Sequence, residues 1–162
     1  MYISDRSFGG RTRAIGTALR VALIAVIAAT ASGCIAVPAR AQQSADLVNA
    51  IRVFFGAQPA SYSLVLQSEA QRWAEHMATT CTLQHDPRPQ AGIFSDYWWL
   101  GENIGYAAIH PKAVDSIHLG FVLSPPHLNA LAKREVDSVG IGVADGCGRT
   151  WIAQRFADFA DQ

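Results

Sequence analysis

The sequence predicts an α+β domain, because helical periodicity recurs in separate stretches up to about Lys133 and strict alternation takes over after it. Three observations carry this. Apolar residues recur at helical spacing before residue 82 and again after His110. Val139, Ile141 and Val143 alternate with Gly140, Gly142 and Ala144. After Asp145-Gly146, residues 150–156 alternate once more, which is the pattern of a β-hairpin.

The opening segment stands apart. Arg6, Arg11, Arg13 and Arg20 precede an uncharged run from Val21 to Ala39, and Ala39-Arg40-Ala41 follows. A basic start, an apolar middle and a small-x-small exit describe an export signal over 1–41, with Gln42 as the first mature residue. Left uncleaved, the same run is long enough to serve as an N-terminal membrane anchor. Ala31-Ser32-Gly33-Cys34 offers a third alternative, a lipoprotein site with lipid on Cys34. All three export a single domain, 42–162, and confine membrane contact to the N-terminal segment.

The formal charge is zero, yet residues 1–41 hold five of the thirteen Lys and Arg and one of the thirteen Asp and Glu. The remainder is near −4 and has no basic stripe, so nucleic acid is not an expected partner. Beyond Cys34 two cysteines remain, Cys81 and Cys147. In an oxidising compartment an isolated pair is expected to form a disulfide. Closing a loop of about 66 residues would contribute about 4 kcal/mol on the chain-entropy view.

Element by element, Ser44 is a candidate cap for a helix to about Gly56, with Leu47, Ile51 and Phe54 as its inward stripe. A second helix runs from Ser63 or Leu64 to about Cys81, with Leu66, Ala70, Trp73 and Met77 buried. Asp86-Pro87-Arg88-Pro89 excludes helix from the loop that follows, and His85 stands at its mouth. Leu100–Tyr106 reads as a short strand. Trp98 and Trp99 before it supply an apolar mass expected to be mostly buried. His110-Pro111 opens a third helix to about Leu123. Ser124 then caps a fourth, with Pro125 at its first position and His127 in its first turn.

Among the five histidines, His76, His110 and His118 read as structural or surface residues. His85 and His127 sit at helix ends beside irregular backbone, where side chains converge on clefts. The start of a helix disfavours imidazolium, so His127 is expected to stay neutral. With Glu102, held between Gly101 and Gly105, they make a candidate set for a divalent metal such as zinc with an open position. No Gly-x-Ser-x-Gly elbow and no His-Glu-x-x-His helix is present, and no catalytic residue is assigned.

Several blocks occur in a known order. They are Asn49 and Arg52, then Ala70, Ala74 and Met77, then Leu83-Gln84-His85 and Gly101-Glu102-Asn103-Ile104. Ser124-Pro125-Pro126-His127-Leu128-Asn129-Ala130-Leu131 and Val139-Gly140-Ile141-Gly142-Val143 complete the series. In this the chain from about Leu47 to Phe156 resembles a bacterial member of the CAP superfamily, the cysteine-rich secretory, antigen 5 and pathogenesis-related proteins built on the SCP domain. The resemblance implies a three-layer α-β-α sandwich with a central antiparallel sheet. It implies a shared cleft lined by His85, Glu102 and His127, supported by Asn103 and Ser124, that binds divalent cations in some members. It also implies a ligand of lipid or cell-envelope type. The chain departs from the family at Phe121, where tryptophan is usual, and at Pro126, which replaces a common glycine. It departs again at Val122-Leu123-Ser124, which lacks the second carboxylate of eukaryotic members; Glu135 matches nothing and is not carried over. The expected function is therefore an exported binding domain rather than an enzyme. The alternatives are a metal-assisted hydrolase of peptides or cell-wall polymers, and a polar cluster that only stabilises the fold.

Overall fold

The computed structural model describes residues 37–160 apart from Phe94. In chain order these form α1 (Ala39–Phe54), β1 (Ser61–Tyr62), α2 (Leu64–Thr80), β2 (Tyr97–Ala108), α3 (Ala113–Val122), α4 (Pro125–Ala132), β3 (Ser138–Gly146) and β4 (Arg149–Phe159). The sheet order is β1-β3-β4-β2. The three long strands are antiparallel, and β1 adds a two-residue parallel pairing outside β3. Helix α2 covers one face of the sheet, while α1, α3 and α4 cover the other. The domain is thus an α+β sandwich of three layers. No helix among the described residues is long and apolar enough to cross a membrane.

The alternation in β3 is used differently on its two sides. Val139, Ile141 and Val143 are buried against the α1, α3 and α4 layer. The intervening glycines let α2 lie directly on the strand: a Cβ on Gly140 would come within 2.1 Å of the Leu66 carbonyl carbon, and one on Gly142 within 2.1 Å of Ala70 O. Both contacts are with backbone, which cannot swing aside. Because both faces of β4 are covered, Thr150 through Ala157 are all buried and its alternation is not one of inside and outside.

Helix α1 starts earlier than the sequence suggests, so Ser44 is not its cap. Ser44 lies buried in mid-helix, its Oγ 2.8 Å from Nε2 of His118. The buried face of α1 is Ala41, Ser44, Ala45, Val48 and Arg52, with Leu47 and Ile51 at its margin and Phe54 82% exposed. The expected stripe is displaced because small residues let this helix approach the sheet, leaving Phe54 beyond the contact. Arg52 is fully buried and donates to four carbonyls: Gln58 at 2.8 Å, Leu131 at 3.1 Å, Lys133 at 3.0 Å and Val136 at 2.6 Å. Asn49 both accepts from and donates to the backbone of Ala60. These two side chains tie α1 to the connections around it, satisfying buried carbonyls that have no strand or helix partner.

The export segment and Cys34 lie outside the described residues, except for its last five positions. Of these Ala39 opens α1, Arg40 pairs with Asp145 at 2.8 Å and Ala41 is buried. Residues 41 and 42 therefore stand side by side within the helix. Cys81 and Cys147 form the expected disulfide, Cα to Cα 5.8 Å, joining the end of α2 to the β3–β4 turn. Strand β2 extends three residues before and two after the expected span. Trp98 is 78% exposed, while Trp99 is largely buried, folded over Gly101 and packed against the core. Trp98 is not a core element because it sits at the outer end of an edge strand.

His118 sits inside a polar cluster between the sheet and α1. Its Nε2 lies 2.8 Å from Ser44 Oγ and 3.0 Å from Gln154 Nε2. Burial pushes its pKa down to about 4, against a smaller upward pull from Asp115. A histidine depressed in the folded state leaves stability intact above its unfolded value near 6.5. It withdraws stability as pH falls from there towards 4, because only the unfolded chain takes the proton. Urea denaturation at a series of pH values should show a loss of about 3 kcal/mol over that window, absent in His118→Asn. Gly142→Ala should cost roughly 3 kcal/mol or more in the same assay, since α2 must lift off β3.

Candidate functional site

Adjacent residues of β2 point to opposite faces of the sheet, so Glu102 and Asn103 serve different layers. Glu102 is paired across the strands with Arg155 of β4, and its side chain is only 7% exposed. Its Oε1 accepts from Nδ1 of His85 at 2.6 Å and from the backbone N–H of Asp86 at 3.1 Å. Its Oε2 lies 3.1 Å from Arg155 Nη2, off the axis of a hydrogen bond, and has no other partner.

Arg155 is the hub of this side. Nη2 donates to Asp86 Oδ2 at 2.8 Å and Nη1 to the carbonyl of Pro89 at 3.2 Å. Arg72, from α2, donates to the same Asp86 oxygen and to Glu69. Burial pushes the Asp86 carboxyl up, but the Arg88 N–H and the guanidiniums of Arg72 and Arg155 outweigh it and hold the group below its ordinary value. Two buried carboxylates are thus met by two guanidiniums, which is what makes their burial tolerable. The loop after α2 is drawn onto β2, and His85 with it. The His85 side chain remains 65% exposed. Because both hydrogens on Oε1 come from donors, Nδ1 carries the proton, and a neutral ring presents Nε2 as a lone pair.

On the other face Asn103 is buried and donates from Nδ2 to the carbonyl of His127 at 3.2 Å and to Gln154 Oε1 at 3.3 Å. That ties the first turn of α4 to β2. Ser124 has the extended backbone of a cap residue but makes no side-chain cap bond; its Oγ is 2.8 Å from Nδ1 of His127. Pro126 removes one of the two N–H groups a cap could accept from, and the Ser124 hydroxyl meets the His127 ring instead. The ring of His127 packs on Phe121, centroids 5.1 Å apart. Burial lowers its pKa, and a protonated His85 would lower it further. His127 is therefore held neutral as expected, though by burial and its neighbour histidine rather than by the helix end.

The two imidazoles approach β2 from its two faces. His85, Asp86, Pro89, Leu100, Gly101 and Glu102 line a hollow of about 260 Å³. Leu83, Gly105, Tyr106, Phe121 and His127 are among the lining of another, of about 420 Å³. Leu83 and His85 belong to the same short stretch of loop, so one wall is shared. Glu102, however, faces inward to Arg155. Among the described residues no group of three or more His, Cys, Asp and Glu is arranged to hold a metal ion. Arg155, Asp86 and Arg72 were not singled out from the sequence; the signal available was an arginine within an otherwise apolar strand pattern. His76 stacks on Trp73 at the rim of α2, and His110 accepts from the Lys112 N–H; neither joins the site.

A family model described as cysteine-rich secretory protein family, CAP, matches residues 45–156. Among solved structures, an extracellular protein containing an SCP domain from Bacillus anthracis aligns with TM-score 0.62 at 25% identity, covering 73% of this chain and 40% of that longer one. An outer surface protein from Borrelia burgdorferi aligns with TM-score 0.66 at 13% identity, covering 77% and 96%. NaASP2, in a structure with Zn²⁺, aligns with TM-score 0.57 at 14% identity, covering 77% and 83%. No curated protein matches the sequence.

Arg155→Met tests the hub. It leaves Asp86 and Glu102 buried without their shared cation, and urea denaturation should show a loss of roughly 3–5 kcal/mol. A change under about 1 kcal/mol, the range of exposed ion pairs, would mean the cluster is solvated in practice.

Proposed function

Because the chain belongs to the CAP family of cysteine-rich secretory proteins, we propose that it is an exported binding domain whose groove presents two oriented imidazoles. Export is supported by the basic, apolar and small-residue order of its first 41 residues. It is supported again by the Cys81–Cys147 disulfide, which belongs in an oxidising compartment, and by likeness to an extracellular and an outer surface protein.

The observation that carries the binding reading is the matched orientation of the histidines. Each has Nδ1 engaged, His85 by the Glu102 carboxylate, which can only accept and so leaves Nε2 as the lone pair, and His127 by the Ser124 hydroxyl, which leaves Nε2 free whenever that hydroxyl accepts. A carboxylate or hydroxyl behind the ring is the usual support for a metal-ligating histidine. A divalent ion such as zinc would be held by Nε2 of His85 and Nε2 of His127, with its other positions left to water or ligand. Bound there, the ion would supply a Lewis-acid anchor for a polar group. Glu102 then acts as the orienter of His85 rather than as a ligand, since Arg155 already compensates its charge. Family membership suggests a cell-envelope component, lipid included, as the ligand class. A hydrolase needs a free general base; both carboxylates of the cluster are committed to Arg155, which favours binding over catalysis.

Zinc titration of the untagged chain by calorimetry tests this. His85→Ala and His127→Ala should each weaken binding at least tenfold, and Glu102→Gln about tenfold through loss of orientation. Affinity should fall on acidification, since a protonated ring nitrogen has no lone pair for the ion. Absence of zinc binding in the unaltered chain would leave a polar cluster that serves only the fold.

A further inference from the structure

We infer that the groove along the free edge of β2 takes an extended peptide, which adds to the sheet as a further strand. This deepens the reading that the groove between His85 and His127 is the ligand site, and it depends on that reading. Four observations converge on it.

Strand β2 ends the sheet and spans twelve residues, about 40 Å of extended chain. Its inner edge is paired with β4 from Tyr97 to Ala108. Alternate peptide groups must point the other way, and among the described residues none of those within the strand has a backbone partner there. An edge of this length is ordinarily covered, charged or broken.

Walls rise on both sides of it. Leu83 and His85 come from the loop after α2, and Ile117, Phe121 and His127 come from α3 and α4. Between them the two hollows open against Leu100–Glu102 and against Gly105–Tyr106. Gly101 and Gly105 are four residues apart, about 13 Å along a strand. A peptide paired with β2 turns successive side chains to opposite faces, so one set would meet the hollow beside His85 and the alternate set the hollow beside Phe121. The larger hollow is faced by Leu83, Tyr106, Ile117 and Phe121, which suits an apolar side chain.

Gly120 lies in the last turn of α3 and lines the larger hollow. A Cβ added there would meet nothing within 4 Å. Glycine weakens a helix, and here no packing contact requires it; what it leaves is room in the groove. The class of ligand follows from the edge itself. Donors and acceptors alternating at strand spacing are matched in full only by another extended main chain, with side chains read by the hollows.

Random decapeptides displayed on phage are panned against the full-length chain, and the selected peptide is remade with one N-methyl group at each position in turn. Strand addition predicts a tenfold or greater loss at alternate positions, with the intervening ones tolerated. It also predicts slowed amide exchange within residues 99–107 on binding. Gly120→Leu should bind the peptide at least tenfold more weakly, with a melting temperature no lower than that of the unaltered chain. No enriched peptide, an N-methyl scan without a period of two, or full binding by Gly120→Leu overturns the proposal. Zinc titration of the same proteins separates the readings. Normal zinc binding without peptide binding removes strand addition alone, and peptide binding without zinc removes the metal alone.

Discussion

Arg155 is the contact on which the site depends. It lies on the central strand pair, buried, with one carboxylate from the neighbouring strand and one from a loop both against its Nη2. A buried cation is tolerable only with such partners, and each buried carboxylate is tolerable only with a cation. The three groups therefore stand or fall together. Their union does more than offset charge. It lays a proline-rich loop of irregular backbone against an edge strand and so brings an imidazole to the groove.

The opposite face solves a parallel problem with neutral groups. Asn103 and Gln154 pass hydrogen bonds from Ser44 and His118 of the inner layer to the backbone of His127. Such a network is worth most when fully satisfied, and it sets where α4 begins relative to β2. Ionic pairing orders one wall of the groove and amide hydrogen bonding orders the other. Both start from adjacent residues of one strand, Glu102 and Asn103, whose side chains diverge because successive residues of a strand face opposite ways. The two glycines flanking this pair leave their space to Trp99 on one side and to Ile117 and Phe121 on the other.

Much of this was legible in the residues and some was not. The second helix and its buried face follow from spacing, as does the hairpin at the end of the chain. The start of the first helix was not, because Ser44 has the chemistry of a cap and is used instead to bond a buried histidine 74 residues away. Phe54 looks like core by period alone, but the helix packs through alanines and the chain reaches the edge of the core before it. Trp98 shows the same limit at the end of β2. Glu102 is marked out by its apolar and glycine-rich surroundings, yet its role as partner to Arg155 needs the register of β2 on β4, which pattern does not specify.

By itself the sequence determined the helix and strand periods and the cysteine pair, because these rest on local spacing and residue type, and its ordered blocks carried the family resemblance that implies the layers. The tertiary structure alone decided what the polar residues do. A carboxylate, an imidazole or a guanidinium can partner any opposite group that folding brings within about 3 Å, and sequence distance does not limit which one arrives. Glu102 therefore turns towards Arg155 and orients His85, while His127 answers to Ser124 and Asn103.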